Sequence, residues 1–122
     1  MNPNDLCYLA TPYTRYAAGL DQAFKDAAKI AAHLLMAGVK VYSPICHTHP
    51  IAIFGQLDPR DHSIWIPFDE AMMAAANTLI VAHLDGWHES FGIAHEVKFF
   101  QASGKPIFDL DPRSLLMVRR VS

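Results

Sequence analysis

The chain alternates between short apolar runs and longer segments in which apolar residues recur every three or four positions. The short runs are typical of buried strands, and they lie at 6–10, 39–43, 78–84 and 106–110. The longer segments have the period of amphipathic helices, and they predict helices over 20–38, 62–76 and 91–103. The pattern is therefore one of strands and helices in alternation.

Three features interrupt this pattern. Residues 44–61 contain three prolines, a glycine and several polar residues, which predicts a long loop of the kind that is often functional. Pro67 falls inside a helical segment, where a proline is tolerated in the first turn, so that helix is expected to begin close to it. The tail 112–121 is predicted to form a final short helix.

The order of elements predicts an α/β fold with a mostly parallel sheet of four to five strands. We expect one domain over residues 1–122, built as a three-layer, doubly wound structure of the flavodoxin or Rossmann-like type. Ligands of such sheets bind beyond the carboxyl ends of the strands, near the switch in strand order. The segments expected there are 10–16, 43–50 and 84–92, which are rich in chemically capable residues.

Composition narrows the range of partners. The 122 residues are 52% hydrophobic and carry a formal net charge of -2, without a cluster of lysines and arginines. A nucleic-acid polymer is therefore disfavoured, whereas a small anionic ligand is compatible. No apolar run approaches the length of about 20 residues that crosses a bilayer, so no membrane partner is expected. With two cysteines and no visible signal sequence, the protein is predicted to be cytoplasmic.

The stretch DGWHESFGIAHE, residues 85–96, contains the first candidate site. Ser90 precedes a predicted helix and is a favoured N-cap residue. The free N–H groups and the dipole of a helix start also attract anions, and Gly92 allows a ligand to approach the backbone. Glu96 borders the apolar stripe of the same helix. It is either an ordinary surface residue or a partly desolvated functional carboxylate.

Asp69 is the second candidate carboxylate. It lies one helical turn after Trp65, so the two share a face. Carboxylates from two helices can flank a sugar C1 atom, one attacking it and the other supplying a proton, as in retaining glycoside cleavage. The alternative is that Asp69 lies on the exposed side of its helix, as Glu70 beside it is expected to do.

Residues after the first two strands supply candidate ligand contacts. The first strand and its loop carry two aromatic, one hydroxyl and one cationic side chain, namely Tyr8, Thr11, Tyr13 and Arg15. Arg15 is suited to a phosphate or carboxylate, and the tyrosines to a base or sugar, although packing is the simpler role of Tyr8. His47 and His49 follow the second strand and are interpreted as ligand contacts. Zinc is a weaker alternative because C-H-x-H is not a standard zinc pattern.

The motifs YLATPYT, Asp69 within a helix, TLIVAHLDG, SFGIAHE and GKPIF, in this order, resemble the nucleoside 2-deoxyribosyltransferase-like superfamily. The stretches SPICHTHPI and GWHES-x-G-I-x-x-E are similar to its small bacterial and phage branch, the domain of unknown function DUF1937. The resemblance covers roughly residues 6–110.

The resemblance implies a role for several residues. Glu96 matches the catalytic glutamate that attacks C1′ to give a covalent glycosyl-enzyme, and Asp69 matches the acid implicated in protonating the leaving base. Ser90 stands where the transferases have Asp and the monophosphate glycosidases have Ser, which favours a phosphorylated ligand. Tyr8 matches the aromatic residue at the end of the first strand. The resemblance also implies a homodimer or higher oligomer, for which the apolar segment Ile51–Phe54 is a candidate interface.

The chain departs from the superfamily in its first loop, ATPYTR, in Trp87 and His88 before Ser90, and in the histidines of 46–49. Trp87 is taken as a further candidate ligand contact. The leading hypothesis is an enzyme, without metal or organic cofactor, that cleaves or transfers the N-glycosidic bond of a nucleoside or nucleoside 5′-monophosphate, with a 2′-deoxy sugar best suited to the mechanism. The first alternative is a non-catalytic module that binds nucleotides. The second is a metal-dependent hydrolase that uses His47 and His49.

Overall fold

The computed structural model describes residues 1–121 and has an open five-stranded sheet with helices on both faces. Its strands are β1 (Leu6–Ala10), β2 (Lys40–Tyr42), β3 (Thr78–Ala82), β4 (Ile107–Leu110) and β5 (Met117–Arg119). Its helices are α1 (Leu20–Met36), α2 (Pro44–Gly55), α3 (His62–Ala75) and α4 (Phe91–Ala102), with a short 3-10 helix at Trp87–Glu89. The strand order is β2-β1-β3-β4-β5, with β1 to β4 parallel and β5 antiparallel to β4. The predicted α/β fold with a mostly parallel sheet is confirmed.

Two apolar cores lie on opposite faces of the sheet because side chains alternate along each strand. On one face Leu79 and Val81 of β3 pack with Met73 of α3 and Phe100 of α4. On the other face Ile80 packs in a cluster with residues of α1. Every residue of β3 is buried, as the continuous apolar run predicted.

The switch in strand order positions the candidate site. β1 pairs with β2 on one side and with β3 on the other, so the chain leaves β1 and β3 at the same edge of the sheet. The segments that follow these strands therefore face a common crevice. It is covered by the beginnings of α2 and α4 and by the side of α3.

The predicted loop 44–61 is wrong over most of its length, because α2 occupies Pro44–Gly55. The Ser43 side chain caps this helix by accepting a hydrogen bond from the Cys46 N–H at 3.3 Å. Pro44 fits the first turn, where a missing N–H costs nothing, while Pro50 lies inside the helix. Pro67 likewise lies beyond the first turn of α3, so neither internal proline ends its helix.

The predicted helix over 112–121 is also wrong. Residues Met117–Arg119 form β5, which adds an antiparallel strand to β4. The Arg120 guanidinium fixes this strand by donating to both Asp109 carboxylate oxygens, at 2.8 and 2.9 Å. His83 contacts the same carboxylate at 2.7 Å. Although partial burial acts to raise the pKa of Asp109, these contacts lower it below its ordinary value.

Within residues 1–121, no helix is both long enough and apolar enough to span a bilayer. Cys7 is buried and Cys46 partly buried, and both are free thiols. They therefore do not contribute a covalent cross-link to the fold.

Candidate functional site

A cleft that opens to solvent lies at the carboxyl edge of β1 and β3, and the empty space in and above it is about 680 Å³. Concave sites of this kind at the carboxyl ends of parallel strands are where α/β proteins bind small molecules. Six of the residues predicted from the sequence line it: Thr11, Tyr13, Asp69, Ser90, Gly92 and Glu96. The cleft therefore brings together two acids and a helix start that are far apart in the sequence.

Glu96 lies in the second turn of α4 and is 8% exposed. Its helix neighbours Ile93 and Phe100 belong to the apolar core, so the carboxyl group emerges from that core into the cleft. Burial, reinforced by the nearby Asp69, raises the pKa of Glu96 well above its ordinary value. A carboxyl group in such surroundings is a strong candidate for function.

Asp69 reaches the same cleft from α3. Burial raises its pKa to about 6, and its Oδ1 atom has no hydrogen-bond partner among residues 1–121. Because the charge of Asp69 also disfavours ionisation of Glu96, the two carboxyl groups titrate as a coupled pair. Such a pair holds one proton at a pH where two isolated carboxyl groups would hold none.

Tyr8 lies behind Glu96 rather than in the wall of the cleft. It is fully buried on β1, with its ring near those of Tyr42 and Phe100. Burial, with Glu96 close to it, raises the pKa of Tyr8 far above its ordinary value. Its hydroxyl faces Glu96 but reaches no hydrogen bond of good geometry within the described chain. It is therefore a neutral donor placed beside the buried acid.

Ser90 begins α4 as predicted, and its hydroxyl oxygen accepts a hydrogen bond from the Ile93 N–H at 3.2 Å. The N–H groups of Phe91 and Gly92 precede the first hydrogen bond of the helix and have no partner within it. A side chain added at Gly92 would approach only the Ser90 hydroxyl, at 3.8 Å. The backbone is thus accessible from the cleft, in an arrangement that suits an anion.

Four other predicted residues lie outside the wall of the cleft. Arg15 is exposed to solvent. His47 is exposed and stacks on Phe68, while His49 is buried behind Tyr13. Trp87 stacks on His83, with ring centroids 3.9 Å apart.

The sequence pattern did not reveal the rim of the cleft, where His62, Trp65, Phe91 and His95 lie. The His95 Nε2 atom is 3.1 Å from a Glu70 oxygen, and the His95 ring is parallel to that of Phe91. The spacing of four between Phe91 and His95 was the available signal, since such residues share a helix face.

The histidines of α2 do not form the metal site that was considered. His47 and His49 point to different neighbours, Phe68 and Tyr13. In the described part of the chain, no three His, Cys, Asp or Glu side chains are grouped to hold a metal ion. The geometry therefore does not favour the metal-dependent hydrolase.

The raised pKa of Asp69 predicts a pH-dependent cost to stability. Unfolded Asp ionises near pH 4, whereas folded Asp69 ionises at about 6, so the cost develops as the pH rises between these values and is complete above them. We expect Asp69→Asn to increase the free energy of unfolding by about 1 kcal/mol more at pH 8 than at pH 4.5, after allowing for solvent screening. Urea unfolding at both pH values measures this. An equal effect of Asp69→Asn on the free energy of unfolding at both pH values would contradict the prediction, as would the same pH trend in the exposed control Asp85→Asn.

A family model described as a domain of unknown function, DUF1937, matches residues 5–111. The match includes β1 to β4 and every residue of the cleft, and it ends before β5. No curated protein matches the chain significantly.

Proposed function

The chain belongs to the DUF1937 family, and from this premise we propose that it is an enzyme that breaks or exchanges N-glycosidic bonds. Its substrate is a 2′-deoxynucleoside 5′-monophosphate or the corresponding nucleoside. The observation that carries the proposal is the convergence of Glu96, Asp69 and the start of α4 on one cleft. The motif resemblance to nucleoside 2-deoxyribosyltransferase-like proteins supports the same reaction.

In the proposed first step, a Glu96 oxygen bonds to C1′ while the bond from C1′ to the base nitrogen breaks. Asp69 gives its proton to the leaving base. In the second step, Asp69 takes a proton from water, the water oxygen bonds to C1′, and the bond to Glu96 breaks. A second base in place of water gives transfer instead of hydrolysis. A 2′-deoxy sugar suits this route because it lacks the hydroxyl that would destabilise a cationic transition state.

The division of roles requires one proton on Asp69 and none on Glu96. Both pKa values are raised, so a singly protonated pair is populated near neutral pH. Because Glu96 is the more buried acid and feels the charge of Asp69, the proton of that pair resides mainly on Glu96, and it must pass to Asp69 to give the reactive form. The Tyr8 hydroxyl beside Glu96 opposes the upward shift of the Glu96 pKa and so favours the ionised form of that residue.

The start of α4 supports a phosphorylated ligand. Ser90 contributes a hydroxyl without negative charge, and the Phe91 and Gly92 N–H groups add donors and the positive end of the helix dipole. Arg60 brings a cation to the cleft, because its Nε donates to the carbonyl oxygen of Thr14, a residue of the cleft, at 3.3 Å.

The direct test is incubation of the purified protein with deoxynucleoside monophosphates and with the unphosphorylated nucleosides, followed by chromatography for free base. We expect free base, and faster release from the monophosphates. Adding a second free base should yield an exchanged nucleotide if the protein is a transferase. Binding of nucleotides without release of base would instead support the second candidate.

The second candidate is a nucleotide-binding module without catalysis. The observation in its favour is the buried Glu96, which would be an ineffective nucleophile if it stayed protonated. In that case Glu96→Gln, which resembles a protonated carboxyl group, would leave nucleotide affinity unchanged or improve it, with no turnover in either form. Isothermal titration with deoxynucleoside monophosphates separates the candidates when combined with the release assay.

We also propose that the protein forms a homodimer or higher oligomer through an apolar surface beside the cleft. On α2, Ile51 is 42% and Phe54 87% exposed, and on α3, Ile64 is 37% and Phe68 40% exposed. The stacking of His47 on Phe68 joins the two helices on this side. Exposed apolar side chains grouped on neighbouring helices are typical of a surface that another protein chain covers.

We expect Phe54→Asp to shift the protein to smaller assemblies in analytical ultracentrifugation, because a charge would have to be buried at the interface. Met36→Asp is a matched control, since Met36 is 89% exposed at the end of α1 and belongs to neither helix of this surface. A parent protein that is monomeric at all concentrations, or a Phe54 variant as large as the parent, would contradict the proposal.

A further inference from the structure

His49 is buried behind the wall of the cleft and joins it to the first turn of α1. Its ring stacks on Phe24, with centroids 4.7 Å apart, and receives the edge of Tyr13. Its Nδ1 atom lies 2.6 Å from the Tyr13 hydroxyl, and its Nε2 atom lies 3.9 Å from Asp21 Oδ1. The array Tyr13–His49–Asp21 thus runs from the cleft to the surface through one imidazole ring.

The array determines which ring nitrogen carries the proton in neutral His49. Asp21 is an exposed carboxylate, and its other oxygen pairs with Lys25 at 3.0 Å. A carboxylate only accepts hydrogen bonds, so its negative charge favours a proton on the nitrogen that faces it. At 3.9 Å this is electrostatic attraction rather than a direct hydrogen bond, and it places the proton on Nε2.

With the proton on Nε2, Nδ1 has a lone pair and accepts the Tyr13 O–H. The only proton of the hydroxyl is then directed away from the cleft, and only its oxygen lone pairs remain available. Burial raises the pKa of Tyr13, against the opposing charge of Arg60, so the group stays a neutral hydroxyl. Tyr13 lines the cleft, whereas His49 does not.

We propose that His49 is a positioning residue that makes Tyr13 a hydrogen-bond acceptor toward the cleft, so that the site selects ligands with an O–H or N–H donor there. This deepens the proposed function and rests on it for the identity of the ligand. On a deoxynucleoside 5′-monophosphate the available donors are the 3′-hydroxyl and the N–H groups of the base, which are an exocyclic amine in adenine and cytosine. The array explains why a histidine is buried here without touching the ligand.

The first test does not depend on activity or on any ligand. Nitrogen-15 NMR of the imidazole groups, with His49 assigned by comparison with His49→Asn, reports the tautomer directly. We expect the Nε2–H form of His49, with Nδ1 as the acceptor. The Nδ1–H form would make Tyr13 a donor to the cleft and would overturn the proposal.

The second test compares affinities for ligand pairs that differ by one donor. One pair is dAMP and its 3′-deoxy analogue, and the other is dAMP and the unsubstituted purine deoxynucleotide, which has hydrogen in place of the 6-amino group. We expect one pair to show a preference for the donor of about tenfold, the equivalent of one hydrogen bond. That pair identifies whether sugar or base faces Tyr13.

The preference should fall to near unity in Tyr13→Phe and in His49→Leu, and it should be kept in His49→Asn, whose amide oxygen can replace Nδ1 as acceptor. If His49 had only a structural role, His49→Leu would lower the affinity for both ligands of a pair equally and leave the ratio of their affinities unchanged. An unchanged ratio in Tyr13→Phe overturns the proposal. If no nucleotide binds at all, the proposed function fails. The NMR measurement of the His49 tautomer then still shows by itself whether Tyr13 is a donor or an acceptor toward the cleft.

Discussion

Replacing Glu96 by glutamine is expected to lower the rate of base release from a deoxynucleoside monophosphate by about a thousandfold or more. The amide has the shape of the carboxyl group but lacks the negative oxygen that forms the bond to C1′. Because Glu96 is almost fully buried, the neutral amide should not destabilise the fold, and the variant should unfold at the same or a higher temperature at pH 8. Steady-state assays with chromatographic detection of free base, and thermal unfolding, measure the two effects.

Glu89→Gln provides the matched control, because it makes the same chemical change in an exposed residue of the turn before α4. Its rate should equal that of the parent protein. If Glu96→Gln released base as fast as the parent, Glu96 would not be the nucleophile. If Glu96→Gln lost its thermal transition as well as its activity, its inactivity would reflect unfolding. Glu96→Asp then tests the role of the nucleophile, because it keeps a carboxylate but withdraws it from C1′. Because its shorter side chain holds the carboxylate away from C1′, Glu96→Asp is also expected to lose most of its rate of base release.

Replacing Ser90 by aspartate is expected to reverse the preference for phosphorylated substrates. Aspartate is as good an N-cap as serine, so α4 should keep its first turn and its hydrogen bond to the Ile93 N–H. Its charge, however, would lie close to the phosphate, where the repulsion between two like charges at about 4 Å is on the order of 1 to 4 kcal/mol. We expect kcat/KM for the monophosphates to fall by roughly 100-fold, with little change for the nucleosides.

Ser90→Asn is the control, because it is a neutral cap of similar size. It should retain the preference for monophosphates, which attributes the effect of aspartate to charge. Equal losses for phosphorylated and unphosphorylated substrates in Ser90→Asp would place the phosphate elsewhere in the cleft. Raising the salt concentration should reduce the difference between the Ser90→Asp variant and the parent, since exposed charges are screened.

The position of β5 and the packing of Trp87 connect the cleft to the far edge of the sheet. Trp87 stacks on His83, His83 contacts Asp109 of β4, and Asp109 is held by Arg120 after β5. The turn that leads into Ser90 is therefore supported by residues that are distant in the sequence. Trp87, which the sequence suggested as a ligand contact, packs on His83 at this turn and lies outside the wall of the cleft.

Local sequence patterns determined the framework of this protein. The continuous apolar run at 78–82 required a strand covered on both faces, and the period of 91–102 required a helix with Ser90 as its cap. The same period placed Glu96 beside the buried stripe. These properties depend on neighbouring residues, which is why they can be read without a structure.

Tertiary packing decided the remainder. α2 forms although it contains Pro50, because the helix packs against α1 and β1 and is capped by Ser43. β5 exists because β4 offers it an edge and Asp109 binds Arg120. His49 and Tyr13 are 36 positions apart, and only the packing of α2 against α1 and the loop after β1 brings them within 2.6 Å. Contacts of this kind depend on strand order and helix packing, which residue spacing does not encode.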